Sequence, residues 1–322
     1  LIDQTSFAKF EIAGSGALAA LQRIAANDLS GPPGKAVYTQ LCNARGGIEA
    51  DVTLVHEAAD RFMLVTGSGF GLRDSGWVAS HLPDGVTIRE ITSSLAVINL
   101  CGPRSRDILQ AVTDDDVSNA AFPFLAARRI DVGLARALAV RIGYVGELGY
   151  ELYIPQEFAA HVYETLWSAG EAHGIANAGY RAIDSCRLEK GYLYWSGDIT
   201  PDYNPYEAGL GFCVALDKGD FIGRDALAKI RAEGVTRKLC SFTVEGFAPL
   251  LGGEAILHDG KVVGSTSSAG FGHTLGMTIA FGYLPAEIAG ETRFVIEAFG
   301  KGYPATRGPR CLYDAKMERL RG

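Results

Sequence analysis

The chain contains no Cys-x-x-Cys pair: its six cysteines, Cys42, Cys101, Cys186, Cys213, Cys240 and Cys311, are scattered, most of them among apolar residues. That pattern argues against a zinc or redox-dithiol site, and it points to free thiols in a reducing, cytoplasmic compartment. No apolar run approaches the roughly 18 residues that a spanning helix needs, so no membrane partner is expected. Lys and Arg form no run, and a net charge of −7 with a pI near 5.4 leaves no nucleic-acid footprint. His56, His81, His161, His173, His258 and His273 never fall at H-x-H or H-x-x-x-H spacing, so no metal site is expected. Ser265, Ser267 and Ser268 lack a nucleophile elbow. Gly67-Ser-Gly-Phe-Gly71 has neither the Lys-Ser/Thr ending of a phosphate loop nor the spacing of a dinucleotide fingerprint. A hydride-transferring cofactor therefore has no docking motif in this chain.

What is present is ordinary for a globular enzyme: 48% hydrophobic and 21% charged residues, with 322 residues allowing two or three domains. Many of the 40 glycines end apolar runs, which predicts many tight connections. The chain opens at Leu1 and runs at once into core-like Phe7, Phe10 and Ile12, so we expect a module of a longer polypeptide. Residues 47–56 and 61–67 read as a hairpin, 69–82 as a helix, and 86–91 and 95–100 as short strands. Gly102-Pro103 predicts a helix start; 137–142 and 150–154 read as strands, and 156–173, 181–190 and 224–230 as helices. The whole is an α+β pattern with repeated strand–helix–strand units. Beyond a polar segment at 231–237 only short strands follow, with Asp259-Gly260 as a two-residue hairpin signal. The expected division is 1–232 and a β-barrel over 237–322.

The densest chemistry lies at Tyr144-Val-Gly-Glu-Leu-Gly-Tyr-Glu151, two carboxylates and two phenols around two glycines between predicted strands. Such a turn can hold an aromatic face and a carboxylate around a flat, nitrogen-rich ring. An ordinary hairpin with surface Glu and half-buried Tyr is the alternative from this octapeptide alone.

Four segments together resemble one family. They are Tyr38-Thr-Gln-Leu-Cys-Asn-Ala-Arg-Gly-Gly-Ile-Glu-Ala-Asp51, the octapeptide 144–151, Asp184-Ser-Cys-Arg-Leu-Glu-Lys-Gly191, and Gly264-Ser-Thr-Ser-Ser-Ala-Gly270 with Ile279-Ala-Phe-Gly-Tyr283. The chain resembles the folate-binding aminomethyltransferases, the family of the glycine-cleavage T-protein, and most of all the folate-binding portions of dimethylglycine and sarcosine dehydrogenases and oxidases. The resemblance implies a multi-domain aminomethyltransferase-like folate-binding fold ending in a barrel, with tetrahydrofolate as cofactor. It also implies one-carbon transfer from an N-methyl amine such as dimethylglycine or sarcosine. FAD would then belong to a separate oxidoreductase domain or subunit, not to this chain.

Within that resemblance Asp51 matches the catalytic aspartate, a carboxylate that can steady cationic nitrogen species and accept a proton. Glu151 matches the glutamate that grips the pteridine, whose adjacent amino and ring N–H groups suit a carboxylate. Tyr38 and Tyr144 match aromatic positions of the folate site, and Val65 a position packed beside the ring, with its backbone as a further acceptor. Glu147 is expected to bond local backbone. Arg187 is expected to pair with Asp184 on one helix face. Ile183 stands where the T-protein has an arginine, and Arg181 lies about 200° around the helix from it, so the glutamate-tail contact is not carried over. Two alternatives stand beside this reading. One is a free-standing T-protein or folate-dependent demethylase. The other is a non-enzymatic folate protein of iron–sulfur maintenance, whose reactive cysteine has no match in Lys190-Gly-Tyr-Leu-Tyr194.

Overall fold

The computed structural model describes residues 1–322, which fold as two compact units. The first comprises Leu1–Leu41, Asp51–Tyr180 and Met317–Gly322, the second Cys42–Ala50 and Arg181–Lys316.

The first unit is built on two antiparallel sheets. Its elements in order are β1 (Ile2–Asp3), β2 (Ala8–Ala13), α1 (Ala17–Ile24), β3 (Lys35–Cys42), β4 (Ile48–Ala58), β5 (Arg61–Thr66), α2 (Gly71–Ala79) and β6 (Thr87–Glu90). Then come β7 (Leu95–Cys101), α3 (Ser105–Gln110), β8 (Ala127–Val132), β9 (Ala135–Val140), β10 (Gly149–Pro155) and α4 (Ala159–Gly170). One sheet has the order β3-β4-β5-β2-β6, the other β1-β7-β10-β9-β8. The strand–helix–strand units expected from periodicity do not set parallel strands side by side: β5 and β6, joined through α2, each pair antiparallel with β2, which lies between them. Apolar period reports which face is buried, not the direction in which the chain returns.

Alternation decides what the two sheets show each other. Val55 and Met63 of one sheet share a buried cluster with Val97, Leu138, Val140 and Tyr153 of the other, with Ala36 and Ala127 at its rim. The inward rows are therefore Ala36, Tyr38 and Gln40 on β3, Asp51, Thr53 and Val55 on β4, and Met63 and Val65 on β5. Facing them are Val97 and Asn99 on β7, Leu138 and Val140 on β9, and Glu151 and Tyr153 on β10. The opposite face of the second sheet, with Leu100, Tyr150, Leu152 and Ile154, packs against Ile108, Leu109, Val162 and Leu166 of α3 and α4.

The second unit contains α5 (Tyr180–Lys190, which begins at the boundary), α6 (Arg224–Glu233) and six strands. These are β11 (Arg237–Glu245), β12 (Ala255–His258), β13 (Lys261–Gly272), β14 (Met277–Pro285), β15 (Arg293–Ala298) and β16 (Lys301–Gly308), closed as β11-β14-β13-β12-β15-β16. Along β15 the core residues Phe294, Ile296 and Ala298 alternate with Arg293, Val295 and Glu297, and the Phe294 ring meets Phe242 edge-on at 5.3 Å. Asp259 and Gly260 both take positive φ, 48° and 74°, as a type I′ hairpin requires. The polar stretch from Arg231 is partly helical, because α6 runs on to Glu233.

The Gly-Gly pair ahead of Asp51 makes a corner in this second unit. Gly46 has φ 84°, and a Cβ on Gly47 would sit 2.1 Å from the Pro201 carbonyl oxygen. Asn43 Oδ1 accepts the Arg45 and Gly47 backbone N–H groups at 2.9 and 3.0 Å, which fixes the turn.

Candidate active site in the cleft between two sheets

On β10, Glu151 is the single half-exposed residue among buried neighbours from Gly149 to Ile154; on β5, Val65 is the same exception between Phe62 and Thr66. Asp51, Tyr38 and Tyr144 are half-exposed too. Half-exposed positions on the inward rows mark where the packing between the two sheets opens to solvent. All five residues singled out from the sequence belong to the first unit.

Asp51 Oδ1 accepts a hydrogen bond from Gln40 Nε2 at 2.9 Å, and the Tyr38 hydroxyl bonds the same carboxyl. Both donors come from the inward row of β3. Burial pushes the Asp51 carboxyl up to about 6; these two bonds oppose the rise, and the nearby charge of Asp74 adds to it. Asp74 is held in the first turn of α2 by the Thr66 hydroxyl at 2.6 Å.

Glu151 lies between Asn99 of β7 and Val140 of β9. The Tyr153 hydroxyl, two residues along the same row, donates to its Oε2 at 2.8 Å. Burial pushes the Glu151 carboxyl up to about 7, against the bond from Tyr153. Both carboxyls are densely surrounded yet partly accessible, and no cation contributes to either shift. Strongly perturbed carboxyls in a cleft are a mark of function.

Two more acceptors accompany them. Gln40 Oε1 and Asn99 Oδ1 are buried without a hydrogen-bond partner. The donors named here, from Gln40, Tyr38 and Tyr153, are already engaged by the two carboxyls, and the acceptors left over suit a ligand that presents several N–H groups or a positive nitrogen.

Tyr144 stands in the connection between β9 and β10, which follows the inward row through Val140 and Ile142. Gly146 turns it with φ 77°, and the Leu148 carbonyl anchors its end by accepting the Gly102 N–H at 2.8 Å and the Ser105 hydroxyl at 3.1 Å. Glu147, its side chain 20% exposed, pairs with Arg319 at 3.4 Å, a tertiary contact beyond the local one expected. Val65 stands between Thr53 of β4 and Lys9 of β2 in the sheet register. Arg187 does approach Asp184, at 3.8 Å, but its shorter ion pair is with buried Asp198 at 2.9 Å, beside Ser268 Oγ at 3.0 Å. The helix is structural, through a partner that spacing could not show.

Gln40, Tyr153, Asp74 and Asn99 were not foreseen. Gln40 and Tyr153 each lie two residues from a singled-out residue, so period 2 alone would have found them. Asp74 and Asn99 carry no local signal. A polar groove of about 780 Å³ in the second unit, lined by Tyr203, Arg237 and Tyr283, has its cation stacked 4.4 Å from Tyr203 and paired with Glu207 at 3.0 Å.

Comparison with known proteins follows the same lines. Residues 1–218 match the GCVT N-terminal domain, and residues 237–314 the glycine cleavage T-protein C-terminal barrel domain. Human mitochondrial sarcosine dehydrogenase is 37% identical over 347 residues, an alignment covering 100% of this chain and 38% of that protein. The chain thus spans well under half of that relative's length. An aminomethyltransferase of Halothermothrix orenii is 33% identical over 285 residues, covering 88% of this chain and 79% of its own. In fold, the crystal structure of glycine cleavage system aminomethyltransferase T from Bartonella henselae superposes with a TM-score of 0.88 over 98% of this chain and 86% of that one, at 24% identity. With two matched domains in order across most of its length, the chain belongs to the glycine-cleavage T-protein family of aminomethyltransferases.

Proposed function

We propose that the cleft between the two sheets binds tetrahydrofolate and that the chain catalyses transfer of a one-carbon unit to it from an N-methyl amine such as dimethylglycine or sarcosine. The observation that carries this reading is the pair of carboxyls, Asp51 and Glu151, raised toward neutrality on facing inward rows with no cation to balance them. A reduced pteridine offers the N–H donors that the acceptors Glu151, Asn99 Oδ1 and Gln40 Oε1 lack, so the residues present fit the group.

Bound tetrahydrofolate supplies the nitrogen that takes up the one-carbon unit. Glu151 accepts the paired N–H donors of the ring edge and fixes its orientation, with Tyr153 holding the carboxyl in place. Tyr38 and Tyr144 give aromatic walls, and Val65 an apolar one. Asp51, half ionised near pH 6 and aligned by Gln40 and Tyr38, steadies positive charge on the reacting nitrogen and accepts its proton. We assign the oxidation of the amine to a flavin-bearing domain or subunit, in keeping with the dehydrogenase name of the human relative and the part of its length that lies outside the match.

The test is thermal stabilisation by tetrahydrofolate. Asp51→Ala keeps the shift and Glu151→Ala loses it, which separates chemistry from binding. If no folate of any oxidation state stabilises the wild-type chain, the reading is wrong.

A further inference from the structure

Asn99 is a fully buried polar residue beside the proposed site, 0% exposed on β7, the strand between β1 and β10. Its amide nitrogen donates to Gln4 Oε1 at 3.3 Å, and Gln4 is itself only 3% exposed. Its Oδ1 has no donor. A buried amide oxygen left empty is destabilising, so a donor that comes and goes is a more economical account than a permanent vacancy. The pairing register identifies the neighbour. Asn99 stands directly opposite Glu151, and such pairs project side chains to one face with Cβ atoms about 4.5–5.5 Å apart. The other cross-strand partner, Ile2, has no donor in its side chain.

We propose that Asn99 is a positioning residue: in the ligand-free protein its Oδ1 accepts the carboxyl proton of Glu151, and the proton leaves to solvent when that carboxyl takes up a ligand's N–H groups. The balance is simple. The neutral acid, bonded to the amide oxygen, becomes a carboxylate bonded to two ligand donors, and one proton is released per conversion. In its protonated form Glu151 adds no charge, which spares the cleft a second unpaired anion beside Asp51.

The surroundings allow it. On its own strand Glu151 meets the Tyr153 hydroxyl, which donates to the other carboxyl oxygen, Oε2. From β9 it meets apolar Val140 and Leu138. The facing sheet shows Asp51 and Tyr38, which bond each other. It also shows Glu57, which Arg129 pairs with, and Lys9, whose Nζ donates to the Thr5 carbonyl at 2.8 Å. None of these supplies a cation to Glu151 or a donor to Asn99.

This inference rests on the reading of Glu151 as the ligand grip, and the experiment separates the two. Tetrahydrofolate binding is measured by calorimetry at pH 6 and 7 in buffers of different ionisation heat, for wild type and Asn99→Leu. With Glu151 titrating at about 7, wild type should release about half a proton at pH 7 and close to one at pH 6. Losing one hydrogen bond to the neutral form should bring the titration down by about one pH unit, so Asn99→Leu should release about a tenth of a proton at pH 7. Binding with unchanged proton release in Asn99→Leu overturns the inference alone; absence of binding by wild type overturns both. A ligand-free measurement guards against misfolding. The part of the pH–stability profile that Glu151→Gln abolishes should move to lower pH in a Gln4→Leu/Asn99→Leu double variant, which removes the amide pair together. If that step stays where it is, Asn99 does not hold the proton.

Discussion

Replacing Glu151 by Gln should make the ligand-free protein more stable at pH 8 while destroying its grip on folate. In the folded chain Glu151 titrates at about 7, above its ordinary 4.5, because burial disfavours the charged form. The folded state therefore binds the proton more tightly than the unfolded chain. No penalty exists below about pH 4.5; stability falls as pH rises from there to about 7, and the loss is complete above it. A rise of this size corresponds to about 3 kcal/mol, a ceiling that solvent entering the cleft reduces. Glutamine is neutral throughout and can still accept from the Tyr153 hydroxyl. The variant should match wild type near pH 4 and exceed it by up to about 3 kcal/mol at pH 8, at roughly 2–4 °C in Tm per kcal/mol. The Asp51 part of the decline, between about pH 4 and 6, should remain. The assay is urea denaturation at pH 4, 6 and 8, repeated with saturating tetrahydrofolate. Ligand should stabilise wild type strongly and the variant about 10–100-fold less in apparent affinity, since a charge-assisted hydrogen bond is lost. A variant less stable than wild type at pH 8, or a difference that does not change with pH, would refute the argument.

Other consequences can be checked in the same protein. Asp51→Asn should leave tetrahydrofolate affinity within a few fold, stabilise the free chain above pH 6, and reduce one-carbon transfer about 100-fold or more in a folate-coupled turnover assay. Gly47→Ala should destabilise by several kcal/mol in denaturant titration, because the new Cβ meets the Pro201 carbonyl at 2.1 Å. Arg187→Ala leaves Asp198 buried and uncompensated, which should cost about 3–5 kcal/mol by the same measurement. Phe294→Ala should open a cavity in the barrel core and cost a similar 3–5 kcal/mol.

The residues that line the cleft were legible for a definite reason. Asp51 and Glu151 are carboxylates set in apolar strand sequence, so pattern and family resemblance pointed to the same places, whereas Tyr38 and Val65 were reached through the resemblance. Strands β1, β2 and β8 gave weaker signals: they are short or mixed in polarity, and their formation depends on neighbours far along the chain. The same holds for β16, whose Pro304 argues against a strand until Ala305 is seen packed in the barrel core.

Local pattern by itself determined the α+β class, the barrel strands β11 to β15 and the Asp259-Gly260 turn, because side-chain alternation and turn chemistry are properties of a few consecutive residues. Only tertiary structure decided that the strands return antiparallel, that the Gly-Gly corner belongs to the second unit, and that Asn99 comes to lie beside Glu151, 52 positions away. The reason is physical. Registers between strands are chosen by the burial of whole faces at once, and a buried polar neighbour is recruited by that choice without leaving any mark on its own stretch of chain.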